Sequence, residues 1–198
     1  MTQARRATIT RETNETSVSC TLDLDSGGAA RIETGLGFLD HMLDAVARHA
    51  RIGLDLRVQG DLQVDDHHSV EDAAIVLGQA FDAALGDRSG IERFGSAYAP
   101  LDESLARVVV DFSGRAASAI DLGLSRERLG DVACENLAHL FESFASNARC
   151  ALHVDVIRGT NDHHRAESAF KAFALAIRKA IAVVPGDVGV PSTKGVLR

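Results

Sequence analysis

Two short strings of the sequence place the same chemical groups at the same spacing. Residues 65–72 read DDHHSVED and residues 161–171 read NDHHRAESAFK, so an HHxxE pattern occurs twice. In each copy the glutamate follows the first histidine at a spacing that puts both side chains on one face of a helix. Imidazole nitrogens and carboxylate oxygens are ligands that first-row divalent metal ions accept. The repeated pattern therefore predicts metal binding.

The two strings belong to a longer internal repeat. Residues 37–81 align with residues 135–177, and the alignment extends upstream, where residues 14–30 match residues 102–117. The residues paired by this alignment are His41 with His139, His67 with His163, His68 with His164, Glu71 with Glu167, and Glu15 with Glu103. The chain is thus predicted to contain two pseudo-symmetric halves, 1–90 and 91–198, of one compact duplicated domain.

The hydrophobic period indicates the elements that position these groups. Apolar residues alternate with polar ones over residues 18–24 and 52–58, which is typical of strands with one buried face. They recur at helical spacing over residues 36–46 and 70–85, so the HHxxE pattern begins a helix after the turn-like QVDD. We predict an α+β fold in which each half runs β-β-β-α-β-α and its sheet packs on its helices.

Adjacent histidines diverge by about 100° on a helix, so they are poorly placed to chelate one ion and suggest two metals. Each half offers three imidazoles and one carboxylate. The predicted ligands are His41, His67, His68, Glu71, His139, His163, His164 and Glu167. Because the set contains no cysteine, it favours manganese, iron or zinc over a structural zinc-thiolate site.

The alternative is that an HH pair is merely a solvated helix start. A single copy would leave that interpretation open, but six of the eight histidines fall at repeat-equivalent positions, which packing does not require. The other two are His49 and His153. His49 ends a predicted helix, where a cation complements the helix dipole, so it is a candidate for capping or for substrate contact. His153 lies in a predicted strand and is interpreted as structural.

Basic residues outside the repeated pattern suggest a second subsite. The candidates are Arg93, Arg115, Lys171 and the loop PSTKG at 191–195, in which Ser192, Thr193 and Lys194 offer hydroxyl, backbone N–H and ammonium groups. Such groups bind phosphate. Lys171 has an equally good alternative, because it follows Glu167 at i,i+4 and can form an ion pair on the helix surface.

Composition excludes several classes of function. The net charge of −7 with scattered arginines argues against a nucleic-acid surface. The sequence has no apolar run of membrane-spanning length and no apolar signal-peptide core, so we expect a cytoplasmic protein without a membrane partner. The three cysteines, Cys20, Cys134 and Cys150, lie far apart and are interpreted as reduced packing residues.

Four strings together resemble one enzyme family. GLGFLDHM, VDDHHSVEDAAIVL, GTNDHHRAESAFK and PSTKGVL are similar to the imidazoleglycerol-phosphate dehydratases of histidine biosynthesis, and the resemblance runs from about residue 4 to the C-terminus. It implies the ribosomal-protein-S5-domain-2-like fold, a homo-oligomer that is an octahedral 24-mer of trimers, and two manganese ions per subunit, held at subunit interfaces. With no extra domain in the sequence, the chain resembles the single-function form.

The resemblance also implies residue roles at the matching positions. It makes the eight predicted ligands manganese ligands. The residues that it places near substrate are Glu15, His41, His49, Arg93, Arg115, Lys171, Ser192, Thr193 and Lys194. The candidates for proton transfer are Glu15, Glu71, Glu167 and Lys171.

Two other functions use similar ligands. A dinuclear metallohydrolase would activate water on such a site and release inorganic phosphate from a phosphorylated small molecule. A metal-storage shell would need only the ligands, and the PSTKG loop and the arginines count against it.

Overall fold

A computed structural model of the chain describes residues 4–27, 29–186, 189–195 and 197. Its elements, in chain order, are β1 (Arg6–Glu12), β2 (Thr16–Asp23), β3 (Ala30–Glu33), α1 (Gly37–Ala50), β4 (Gly53–Gly60), α2 (His67–Leu85), β5 (Phe94–Leu101), β6 (Ser104–Asp111), β7 (Ala117–Asp121), β8 (Arg128–Leu129), β9 (Val132–Ala133), α3 (Cys134–Asn147), β10 (Ala151–Arg158) and α4 (Asp162–Ala180).

The two halves form sheets of identical topology. The first sheet has the strand order β1-β2-β4-β3 and the second has β5-β6-β10-β7. In each, the first three strands in that order are antiparallel and the last pairs in parallel with its neighbour. The predicted α+β fold of two β-β-β-α-β-α repeats is therefore confirmed.

The helices lie between the two sheets and pair across the halves. Helix α1 packs on α4, and α2 packs on α3. At the second crossing a side chain on Gly78 would put its Cβ 2.8 Å from Phe144 O and from Asn147 Cβ, so only glycine lets the backbones approach this closely. Phenylalanines fill the interior where α2, α3 and α4 meet. The ring centroids of Phe141 and Phe144 lie 5.3 and 5.0 Å from that of Phe173. This pairing determines which histidines meet.

One element was not predicted. The hairpin of β8 and β9 lies between β7 and α3, and the first half has no counterpart to it between β3 and α1. Its two-residue strands are too short for hydrophobic alternation to reveal. Residues 86–93 connect α2 to β5, and the assignment of 1–90 and 91–198 to two halves of one domain stays a prediction.

None of the helices in the described part of the chain is long and apolar enough to cross a membrane. All three cysteines are buried and unpaired, as predicted. Burial raises the pKa of Cys20 and of Cys150 to about 12, so these thiols stay protonated at neutral pH. They are packing residues.

Candidate metal and substrate site

Three of the predicted ligands converge at the start of α2. His139 Nε2 lies 3.0 Å from Glu71 Oε1, and His67 Nε2 lies 4.0 Å from Glu71 Oε2. The two imidazole rings stack with their centroids 5.1 Å apart. One ligand atom from each residue falls within 4.8 Å of the others, a spacing that one ion can bridge. We call this trio of His67, Glu71 and His139 the first cluster.

A second cluster with the same composition lies at the start of α4. His163 Nε2 is 3.1 Å from Glu167 Oε2, and His41 Nε2 is 3.5 Å from the same oxygen. The ligand atoms of His41, His163 and Glu167 also fall within 4.8 Å of one another. Both clusters therefore present two imidazole nitrogens and one carboxylate.

Each cluster combines residues of both halves. His41 on α1 joins the HHxxE pattern of α4, and His139 on α3 joins that of α2. The ligands do not collect half by half, as the inventory of three imidazoles and one carboxylate per half suggested. The physical reason is the helix pairing, because α1 packs on α4 and α2 on α3.

The second histidine of each pattern points away from the clusters. His68 Nδ1 lies 3.1 Å from Asp61 Oδ2, and His164 Nδ1 lies 2.7 Å from Glu103 Oε2. These hydrogen bonds raise the pKa of both imidazoles. The same contact with His164 holds the pKa of Glu103 well below its usual range. The predicted divergence of adjacent histidines is confirmed, because the rings of each pair are nearly perpendicular and His68 and His164 belong to neither cluster.

A buried aspartate precedes each HH pair and was not predicted. Asp66 is 2% exposed and accepts hydrogen bonds from Ala133 N, Asn136 Nδ2 and Arg128 Nη2. Burial alone would raise the pKa of Asp66, but the hydrogen bonds from Asn136 and Ala133 and the charge of Arg128 bring it below its usual value. Asn136 in turn offers its Oδ1 to His67 Nδ1 at 3.0 Å. Asp66 thereby orients a ligand of the first cluster.

The matching aspartate, Asp162, contacts the start of the segment 123–133, whose end contacts Asp66. It accepts from Ser125 N and Arg126 N at 2.9 and 2.7 Å. Asp131 accepts from Gly37 N and Phe38 N, the first amides of α1. Residues 123–133, which we call the strap, therefore contact the starts of α1, α2 and α4 and lead directly into α3. The sequence signal was an aspartate before both HH pairs.

The second cluster has different neighbours. The ring of Phe38 meets that of His163 edge to face at 5.4 Å, in the position that Asn136 occupies beside His67. Lys171 Nζ lies 2.7 Å from Glu167 Oε1, so the i,i+4 ion pair forms. Burial alone would raise the pKa of Glu167, but Lys171 and, less strongly, His163 lower it below its usual value. Glu167 thus faces the cluster with one oxygen and Lys171 with the other.

The phosphate candidates lie at the opposite end of α4. Arg93 donates to Ala180 O through its backbone N–H, and its guanidinium forms two hydrogen bonds with Asp111 of 2.6 and 2.9 Å. Its Nη1 donates to Pro191 O at 2.8 Å, which fixes the start of the PSTKG loop. In that loop Lys194 N donates to Ser192 Oγ. The structure therefore joins Arg93 to the loop.

The remaining candidates occupy separate positions. Arg115 and Thr193 are exposed on loops, and His49 is half-buried in the last turn of α1, about two turns from His41. Glu15 is 56% exposed on the β1–β2 turn, with Oε2 3.8 Å from His68 Nε2. Within one chain these residues do not form one compact pocket with both clusters.

The chain is similar to known proteins of one family. Residues 34–177 match the model of the imidazoleglycerol-phosphate dehydratase family. Proteins of that name from Phytophthora nicotianae and Phaffia rhodozyma are 56% and 53% identical over 98% of this chain, which spans 42% and 96% of their respective lengths.

Two solved structures extend the comparison. The crystal structure of the Staphylococcus aureus N315 enzyme has a TM-score of 0.82 at 37% identity and covers 90% of this chain and 99% of its own. That of the Pyrococcus furiosus protein in complex with (S)-C348 has a TM-score of 0.79 at 31% identity and covers 96% and 100%. Fold, ligand pattern and sequence identity together place this chain in the imidazoleglycerol-phosphate dehydratase family.

Proposed function

We propose that this chain dehydrates D-erythro-imidazole-glycerol phosphate to imidazole-acetol phosphate in histidine biosynthesis, using two manganese ions per subunit. The observation that carries the proposal is the pair of clusters that combine residues of both halves, each with two imidazoles and a carboxylate. The names of the relatives supply the substrate class.

The donor set of each cluster fits a manganese ion. Imidazole nitrogens and carboxylate oxygens suit first-row divalent ions, and three protein ligands leave coordination positions open for further ligands and substrate. The cysteines are buried elsewhere, so a thiolate site is not available at either cluster among the described residues. His41, His163 and Glu167 would hold one ion, and His67, Glu71 and His139 the other.

Two features support a site completed by other subunits. Helix α4 has 19 residues and spans about 28 Å, with His163 in its first turn and Arg93 bonded to its last residue. A phosphorylated imidazole substrate is much shorter than this helix, so it cannot reach from His163 to Arg93 of the same chain. His68 and His164 also belong to neither cluster, and their Nε2 atoms lie 3.8 Å from Glu15 and Asp102. Both features favour the homo-oligomer of trimers that the sequence resemblance implies.

The reaction is difficult because it removes a hydroxyl group and a proton from carbons without acidic hydrogens. Bound manganese would lower the pKa of the substrate imidazole, so that the ring can supply the electron pair that expels hydroxide. Proton transfer then falls to residues of the chain. Glu71 and Glu167 face the clusters, whereas Glu15 is exposed beside His68 Nε2, so Glu15 is the best-placed base.

The phosphate group would be held by the second half of another subunit. The Arg93 guanidinium uses three of its N–H groups on Asp111 and Pro191 and keeps two for an anion. Lys194, Ser192 and Thr193 add ammonium and hydroxyl groups, and Arg115 adds a second guanidinium. Holding the phosphate fixes the reacting carbons relative to the clusters.

The deciding experiment measures metal content, product and activity together. We expect the purified protein to contain two transition-metal ions per chain, to lose activity on chelation, and to regain it most fully with manganese. The product should be an enolisable ketone that retains its phosphate. Release of inorganic phosphate would instead identify a metallohydrolase, and full activity without metal would refute the proposed site.

A further inference from the structure

The second histidine of the first HHxxE pattern is held by an acidic residue that the repeat alignment did not single out. His68 Nδ1 lies 3.2 and 3.1 Å from the two oxygens of Asp61, whose side chain is 16% exposed. The other ring nitrogen, Nε2, lies 3.8 Å from Glu15 Oε2, beyond hydrogen-bond distance, and the His68 side chain is 32% exposed. The imidazole is therefore hydrogen-bonded at Nδ1, whereas Nε2 has only this longer contact with Glu15.

The second half reaches the same arrangement with a different residue. His164 Nδ1 lies 2.7 Å from Glu103 Oε2, and its Nε2 lies 3.8 Å from Asp102 Oδ2, again beyond hydrogen-bond distance. Glu103 is itself held in place, because its Oε1 accepts from Thr160 N and Asn161 N at 2.9 Å. A carboxylate fixed by two backbone amides has little freedom to leave the imidazole.

The repeat alignment shows that these two contacts are not copies of each other. Glu103 corresponds to Glu15, yet Glu103 holds an Nδ1 atom whereas Glu15 faces an Nε2 atom. The cause is loop length: residues 61–66 precede α2, but only residues 159–161 precede α4, so the second half has no residue that corresponds to Asp61. Two unrelated carboxylates thus make one contact, which inheritance of a packing contact through duplication would not produce.

We propose that Asp61 and Glu103 are positioning residues, which hold His68 and His164 as Nδ1–H tautomers and direct the Nε2 lone pairs outward toward a metal ion. A carboxylate at Nδ1 can only accept a hydrogen bond, so the proton of the neutral ring must stay on Nδ1. Metal-binding histidines are commonly oriented by a carboxylate in this way. The inference rests on the proposed metal site for its purpose, but the tautomer itself can be observed without metal.

The test uses the full chain with ¹⁵N-labelled histidine, stripped of metal and held at a pH where the imidazoles are neutral. Nitrogen chemical shifts should show His68 and His164 as Nδ1–H tautomers, with each signal assigned by its loss in His68→Gln and His164→Gln. Asp61→Ala should release His68, and Glu103→Ala should release His164, toward the Nε2–H form that free imidazole side chains favour in water. Calorimetric titration with Mn²⁺ should show affinity about 10- to 100-fold weaker in each alanine variant.

Two further variants separate positioning from folding. Asp61→Asn and Glu103→Gln keep an acceptor oxygen and should largely restore both the tautomer and the Mn²⁺ affinity. Asp102→Ala is the matched control, because Asp102 neighbours Glu103 on the same turn but faces Nε2, so the Nδ1–H tautomer should persist. The inference is wrong if the alanine variants keep the Nδ1–H tautomer, or if they lose Mn²⁺ affinity with no change in tautomer. Absence of dehydratase activity in the unsubstituted protein with bound Mn²⁺ would refute the proposed function, but it would not change the conclusion on the tautomers.

Discussion

The two clusters contain the same types of candidate ligand, two histidines and a glutamate, but they differ in the residues that surround them. At the first, Asn136 and the buried Asp66 orient His67 through hydrogen bonds. At the second, the ring of Phe38 packs against His163, and Lys171 pairs with Glu167 where the first half has Ile75. Duplication thus preserved the ligands, whereas the neighbours that tune them diverged. The halves also differ in their candidate phosphate-binding residues, all of which lie in the second half.

The largest expected effect tests whether the clusters cross the halves. His41→Ala and Glu167→Gln remove ligands from one cluster, so each should lose about one metal ion and lower kcat by more than about a hundredfold. Because these residues share an ion, the double variant should lose no further metal. His41→Ala combined with Glu71→Gln should lose both ions. Elemental analysis distinguishes the two patterns, and a reversed result would show that each half keeps its own ion.

A somewhat smaller effect is expected at the phosphate candidates, which separate the second half from the first. Lys194→Ala removes a charge-assisted contact worth about 1.5–3 kcal/mol, which corresponds to a KM about 10- to 150-fold higher. Metal content should not change, because the loop lies at the other end of α4 from His163. Steady-state kinetics beside elemental analysis checks this expectation. His164→Ala is the contrasting variant, which should lose metal and kcat, and loss of metal from Lys194→Ala would contradict the assignment.

The neighbours of the clusters should differ in their effect on affinity. Asn136→Leu removes the acceptor for His67 Nδ1 and a donor to Asp66, so Mn²⁺ affinity at the first cluster should fall about 10- to 100-fold. Phe38→Leu keeps an apolar side chain beside His163 and should change affinity much less. Calorimetric titration of both variants compares them directly. Equal losses would mean that the two environments are equivalent after all.

The smallest effect concerns stability against acid at Asp66. The pKa of Asp66 is lowered in the folded state, so the ionised carboxylate adds to the free energy of unfolding. This contribution is present above the unfolded pKa of about 3.9 and is lost as the pH falls through the folded pKa. Asp66→Asn should therefore lower the free energy of unfolding by about 1–3 kcal/mol at neutral pH, and the difference should narrow below pH 4. Urea denaturation at several pH values measures it. Arg107→Ala, which breaks an exposed ion pair, is the control and should cost less than about 1 kcal/mol at any pH.

Much of this structure could be predicted from local properties of the sequence. The strand and helix patterns, the start of a helix at each HHxxE and the divergence of adjacent histidines all depend on residue spacing within a few turns. The duplication was visible because both copies keep their ligands. The ion pair of Lys171 with Glu167 was likewise one of two outcomes that i,i+4 spacing allowed.

The partners of each ligand depended on tertiary packing. His41 and Glu167 are distant in sequence, and they meet because α1 packs on α4. His67 and His139 meet because α2 packs on α3, where Gly78 lets the two backbones approach closely. The strap could not be predicted, because its two-residue strands are too short to show a hydrophobic period. Its contacts with Asp66, with Asp162 and, through Asp131, with the start of α1 also depend on tertiary packing. Spacing along the chain thus determined which groups are available and in which direction they point. Only the long-range packing of the helices decided which of them lie in the same cluster.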